Sequence, residues 1–165
     1  MNLARAIGTV AGIGYLRPAP GTWGSLAALP LTWLLHVVGG FPLVLTAAAA
    51  IFILGVWATT VITEGSTSHD PSEVVVDEVV GQMIALMALS YPAWNMGIEI
   101  TRLWPGWIAA FVLFRLFDIT KPGPVGWADR RNDPVGVMLD DVIAGGFAAV
   151  GVLLLAGLAH GVLGL

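Results

Sequence analysis

The sequence predicts an all-α, polytopic membrane protein: a compact bundle of about five apolar helices in a single domain over residues 1–165. Three observations lead there. The chain is 57% hydrophobic and only 11% charged, and its mean hydropathy is +0.86, far outside the usual range for a soluble domain. Apolar stretches recur near 25–38, 43–62, 79–93, 107–119 and 142–163. No hydrophilic run between them is long enough to form a second domain.

About 20 residues cross a typical hydrocarbon core, so the second and fifth stretches are long enough alone. The first, third and fourth are shorter and need flanking residues to span. Their alternative is a compact helical domain with buried core helices, partly embedded. Arg5 precedes a Gly- and Pro-broken segment, a poor fit to a cleavable signal peptide. Pro30 inside the first stretch predicts a kink or a freed carbonyl. Gly39-Gly40-Phe41-Pro42 is a tight turn that folds the first two helices into a hairpin. Residues 91–106 form a longer link holding Pro92 and Pro105, with Tyr91, Trp94 and Trp104 suited to a membrane boundary.

Composition also excludes classes of function. Net charge is −4 and the seven basic residues form no dense run, so nucleic acid is not an expected partner. With no cysteine there are no disulfides, thiolate metal sites or cysteine nucleophiles. If all five stretches cross, the N-terminal segment, 64–78 and 119–141 share one side. That side then holds Arg5, Arg17, Lys121, Arg130 and Arg131, with Arg115 reaching towards it and Arg102 opposite. The positive-inside bias makes it cytoplasmic, with the N-terminus in and the C-terminus out. A homo-oligomer is compatible with the sequence but not specified by it.

The sharpest local signal is two acidic pairs against apolar helices. One reads Asp77-Glu78-Val79-Val80-Gly81, the other Asp140-Asp141-Val142-Ile143-Ala144-Gly145. Acids at a helix N-terminus are favoured by the dipole, which explains one pair comfortably. Two pairs on one face crowd negative charge, and a divalent cation would relieve it; carboxylates are the ligands Mg²⁺ prefers. The glycine one turn after each pair lets another helix approach closely.

Arg115, Asp118 and Lys121 recur at three-residue spacing, so they fall near one helical face. They form either a solvated ion-pair ladder or a site for an anion, with Arg gripping phosphate bidentately and Lys acting as a point charge. Pro122 and Pro124 stop that helix. Asp129-Arg130-Arg131-Asn132-Asp133 follows as a polar loop. Near the N-terminus, Thr22 or Ser25 could cap the first long helix, and the same N-terminus could receive a phosphate. It is no Walker loop, because no Gly-Lys-Ser/Thr follows. His69-Asp70 is expected to be surface, and His36 and His160 structural.

Together these segments resemble the phosphatidylglycerophosphatase A family over nearly the whole chain. The matching motifs are Pro-x-Pro-Gly-Thr-x-Gly-Ser (18–25), Asp-Glu-x-x-Gly (77–81) and Phe-Arg-x-x-Asp-x-x-Lys-Pro-x-Pro (114–124). Asp129-Arg130 and Gly-x-Met-x-Asp-Asp-x-x-Ala-Gly (136–145) complete the set. The resemblance implies a Mg²⁺-dependent phosphatase of the bacterial inner membrane that removes the terminal phosphate of phosphatidylglycerophosphate, a membrane phospholipid. Asp77, Glu78, Asp140 and Asp141 are then expected to hold Mg²⁺, with Asp118 as a further ligand or base, and Asp77 and Asp141 indispensable. Lys121, Arg115 and Arg130, with Thr22 and Ser25, are expected to bind the phosphate. Metal-activated water is the preferred nucleophile, and an aspartyl-phosphate the alternative. Three positions depart from the family: Gly123 where Trp is frequent, Gln82 where an apolar residue is frequent, and a glycine-poor loop at 132–135.

Two rival classes are weaker. A CDP-alcohol phosphatidyltransferase needs an Asp-Gly-x-x-Ala-Arg pattern that is missing. A small ion channel or transporter with an acidic cation site would place its acids near mid-membrane with access from both sides.

Overall fold

The computed structural model describes residues 2–65 and 71–162, with side chains to residue 159. Among the described residues there is no strand. The chain forms α1 (Leu3–Gly8), α2 (Pro20–Thr63), α3 (Val76–Met96), α4 (Trp104–Thr120), α5 (Pro124–Asp129) and α6 (Pro134–Val162), with 3-10 turns at Ile13–Tyr15 and Ile100–Leu103. The apolar stretches at 25–38 and 43–62 fall in α2, 79–93 in α3, 107–119 in α4, and 142–162 in α6. His69 and Asp70 lie outside the described residues.

The expected hairpin is present, built from one interrupted helix. α2 breaks at Gly40, whose φ of 65° and ψ of −162° only glycine adopts without strain. Pro42 follows in the first turn of the second half, where its missing N–H costs nothing. Gly24 before the break packs on Val75, and Gly55 after it packs on Val76 and Met138. Gly40 itself sits against Trp94, near the far end of α3. Both halves therefore run alongside α3. Pro30 leaves the backbone helical.

Two boundaries differ from expectation. α2 starts at Pro20 after Ala19, which offers no capping side chain. Thr22 and Ser25 thus lie inside the helix rather than capping it, and Ser25 Oγ bonds back to the Gly21 carbonyl at 2.9 Å. α3 continues through Pro92, shortening the expected 91–106 link. Near the helix end Pro92 costs only one intrahelical bond, and α3 stops instead at Gly97 in the left-handed conformation.

α3 is the axis of the bundle, buried from Val76 to Ala93 along most of its length. α2, α4 and α6 pack around it. Leu86, Leu89, Phe114, Ala144 and Ala148 share the largest core cluster. α3 and α6 cross closely. A Cβ on Gly81 would lie 2.6 Å from the Asp141 carbonyl oxygen, and one on Gly145 would run into the Gly81 carbonyl. The glycines that follow the two acidic pairs therefore face each other's backbone, which brings the pairs together.

Pro20–Thr63, Ile100–Thr120 and Pro134–Ala159 are long and apolar enough to cross a membrane. Their outer faces carry exposed large apolar side chains such as Leu34, Ile53, Val112 and Leu154. A soluble domain would have little use for so much exposed hydrocarbon. His36, on α2, bonds Ser90 Oγ of α3 at 2.8 Å, the structural role expected of it.

Candidate active site

At one end of the bundle the starts of α2, α3 and α6 meet the end of α4 and the short α5, enclosing a cavity of about 280 Å³. Its lining includes six acids, Asp77, Glu78, Asp118, Asp129, Asp140 and Asp141, against two bases, Arg115 and Lys121. The far end of the bundle, around Gly40, Trp94 and Arg102, carries no comparable group of charges among the described residues.

The acids are set by helix starts. Asp77 and Glu78 occupy the first turn of α3, where the dipole favours negative charge. Asp77 Oδ1 accepts from the Glu78 amide at 3.0 Å, and Asp140 Oδ1 accepts from the Asp141 amide at 3.0 Å. This repeated bond fixes the carboxylate of the first member of each pair. Asp77, Glu78 and Asp141 each offer a carboxylate oxygen within 4.8 Å of the others. Glu78 Oε2 and Asp141 Oδ1 are buried without a hydrogen-bond partner. Orphaned carboxylate oxygens at such close quarters are costly unless a cation or proton joins them, and a hard divalent cation such as Mg²⁺ fits the donor set. Asp140 points elsewhere, accepting from Lys121 Nζ at 3.0 Å.

The basic residues are tied to acids without being used up by them. Arg115 Nη1 pairs with Asp118 Oδ2 at 2.6 Å and reaches Ser25 Oγ at 3.4 Å, while its Nε has no partner. The expected stripe breaks at Lys121. That residue ends α4 in the left-handed conformation, φ 46°, and turns to Asp129 and Asp140 instead of Asp118. Burial works against the Lys121 charge, but its hydrogen bonds to Asp129 and Asp140 outweigh this and hold its pKa above the usual lysine range.

Of the residues singled out by sequence, Asp77, Glu78, Arg115, Asp118, Lys121, Asp140 and Asp141 line the cavity. Ser25 stands just behind it, through Arg115. Arg130 and Thr22 do not line it; Arg130 is exposed, its guanidinium near Gly126. Asp129 is the converse case: expected only as part of a polar loop or motif, it lines the cavity and holds Lys121. Asn132, from the same polar loop, also reaches the lining, as does Ser72, which nothing in its local sequence marks out. Asp133 starts α6 as its cap: the Arg131 guanidinium beside it and the Gly136 amide hold its carboxyl below the usual range. A capped Asp-Pro start replaces the glycine-rich run expected at 132–135.

The start of α2 closes the cavity on one side. Ala19, Pro20 and Gly21 line it, and Gly21 lies so near the Glu78 carboxylate that a Cβ there would collide with it. The arrangement can bind an anion between Arg115, Lys121 and a helix N-terminus, beside carboxylates able to hold a cation or accept a proton.

The phosphatidylglycerophosphatase A family model matches residues 6–156. A phosphatidylglycerophosphatase A of Haemophilus influenzae is 38% identical over 84% of this chain and 80% of its own length. A phosphatidylglycerophosphatase A of Escherichia coli is 35% identical over 84% of this chain and 74% of its own. A putative phosphatidylinositol-3-phosphatase of Bacteroides thetaiotaomicron is 39% identical over 87% of each chain. No solved structure matches this chain.

Proposed function

The chain belongs to the phosphatidylglycerophosphatase A family, and from that premise we propose that it hydrolyses the terminal phosphomonoester of phosphatidylglycerophosphate to phosphatidylglycerol and inorganic phosphate. The supporting observation is the cavity itself. It combines three converging carboxylates with an Arg and a Lys, at one end of an apolar bundle where a lipid headgroup can enter while its chains stay in hydrocarbon.

Asp77, Glu78 and Asp141 would hold Mg²⁺, with Asp118 next to them; bound there, the ion would supply charge neutralisation for the phosphoryl oxygens and acidify a water. Arg115 and Lys121 bind the non-bridging oxygens and offset the charge that builds as the bond to the leaving oxygen stretches. Asp118, held by Arg115, takes a proton from the attacking water as its oxygen bonds to phosphorus. The glycerol oxygen then leaves with the bonding electrons and is protonated from solvent. Asp140 and Asp129 hold Lys121 in place.

In the same proposal the bundle crosses the bacterial inner membrane five times, α2 twice and α3, α4 and α6 once each. The cavity and N-terminus face the cytoplasm, because the bases near the cavity end outnumber Arg102 at the other. A channel or transporter is not favoured, since the acids gather at one end and share their cavity with bases.

The test is phosphate release in mixed micelles, with Mg²⁺ and with excess chelator. Release that chelator abolishes and Mg²⁺ restores is the expected result. No release by folded protein in Mg²⁺ overturns the assignment. Phosphatidylinositol-3-phosphate belongs in the same assay, because the relative named for it is as similar as the others; faster turnover of that lipid would move the substrate but not the reaction.

A further inference from the structure

The phosphatase assignment puts the phosphorylated headgroup in the cavity and leaves open where the attached acyl chains run. α2 and α4 meet beside it, where Arg115 Nη1 reaches Ser25 Oγ. Further from the cavity an apolar groove of about 400 Å³ lies between the two helices. It is lined by Leu29, Pro30 and Trp33 of α2 and by Thr101, Trp104 and Trp107 on the other side. Leu29 lies one helical turn beyond Ser25, and Trp33 two. Trp107 lies about 12 Å along α4 from Arg115 at 1.5 Å per residue. The groove therefore follows the same seam as the anion-binding pair, starting about one turn beneath it.

Its shape is built in. Gly106 lets the start of α4 sit close against Leu89 of α3. Trp107 is fixed there by its indole Nε1–H, which donates to the Ile100 carbonyl at 3.0 Å. Trp33 and Trp104 stand exposed at the rims. A chain lying here gains little from leaving water, because its alternative is other hydrocarbon. What it gains is orientation, since a chain pinned along the seam aims its headgroup at Arg115 and Lys121.

We propose that one acyl chain of the phospholipid substrate lies in this groove, making the α2–α4 seam a chain-length-selective subsite. The inference rests on the phosphatase assignment above. Its test compares kcat/KM in mixed micelles for dioleoyl and dihexanoyl phosphatidylglycerophosphate, in wild type, Leu29→Trp to fill the groove and Trp33→Ala to strip one rim.

The wild type should prefer the long-chain lipid. Leu29→Trp should lose about tenfold on it, a size expected of lost positioning, while keeping its rate on the short-chain lipid. Trp33→Ala should move the same way by less. Retained short-chain turnover shows that the variants fold. Equal rates of wild type on both lipids, or parallel losses on both, would overturn the subsite and leave the phosphatase assignment standing. No phosphate release from either lipid by the wild type would remove both. The chain has no cysteine, so Trp33→Cys gives a single thiol. Efficient disulfide cross-linking between copies in detergent would assign the groove to a second copy and overturn the acyl-chain subsite.

Discussion

Replacing Gly145 with Ala should separate the two halves of the active site. Its Cβ would run into the Gly81 carbonyl, with the carbonyl carbon at 3.0 Å and Cα at 3.1 Å, all of it backbone. No flexible side chain can yield, so α3 and α6 must part by about 1 Å or more to restore ordinary contact. Overpacking of this kind costs about 1–3 kcal/mol, against about 1 kcal/mol gained from alanine's helix propensity. Gly146→Ala is the matched control, because nothing lies within 4 Å of its added Cβ. The difference between the two variants isolates the clash, and in Tm it should be about 2–12 °C. Asp141 moves with α6, and Asp77 and Glu78 with α3. Misplacement of about 1 Å costs on the order of 10²-fold, so Gly145→Ala should lose ~10–100-fold in phosphate release while Gly146→Ala keeps its rate. Thermal unfolding by tryptophan fluorescence and phosphate release in micelles measure both. Equal Tm and equal rates for the two alanine variants would refute the idea that this crossing sets the acids.

Asp77→Asn and Asp141→Asn should each cut phosphate release by about 10³-fold or more while the protein still elutes as a folded species, because each removes a charge from the converging carboxylates; near-normal rates in both would dismiss the site. Lys121→Met should lower kcat/KM about 10²-fold, and Lys121→Arg should recover only part, since a planar fork does not replace a point charge. The folded pKa of Lys121 lies above its unfolded value of 10.5, so its stabilising contribution is complete below that value and fades only as pH rises towards the folded one. A Tm difference between wild type and Lys121→Met that stays constant from about pH 7 to 9 is expected, and one that shrinks across that window would contradict the ion pairs. Gln82 is fully buried with both amide atoms unpartnered, so Gln82→Met should raise stability by about 1–3 kcal/mol with little change in rate; a fall in Tm would mean that the amide is satisfied.

Much of the site was legible because its chemistry is written in short-range spacing. Each acidic pair sits one turn before a glycine, and that pattern alone announces a helix start with a close neighbour. The crossing of Gly81 and Gly145 supplies the neighbour. Less legible were features set by a single backbone angle or by distant closure. Arg115, Asp118 and Lys121 share a helical face only while the helix lasts, and the left-handed turn at Lys121 swings its amine to Asp129 and Asp140. Thr22 and Ser25 look like caps until Pro20 starts the helix ahead of them. Asp129 gains its role from α5, a six-residue helix that no periodicity in so short a segment could specify. Five apolar stretches and the turn at Gly40 were visible in the sequence, but the passage of α3 through Pro92 was not, because a proline near a helix end costs too little to stop a helix packed in the core.

The placement of the acids also explains why the fold tolerates them. Six carboxylates around one cavity would repel one another strongly in a low-dielectric interior. The molecule sets Asp77 and Glu78 in the first turn of α3, where unpaired N–H groups and the dipole lower the cost. It pairs Asp118 with Arg115, and Asp129 and Asp140 with Lys121. What remains uncompensated is Glu78 and Asp141, whose inner oxygens are buried and unpartnered on the two helices held together by the glycine crossing. The residual cost is thus concentrated beside the glycine crossing, where α3 and α6 approach closely. A rigid scaffold holding unsatisfied charge is what a binding site for a counter-charge requires, and a looser crossing would let the same acids drift to solvent and lose it.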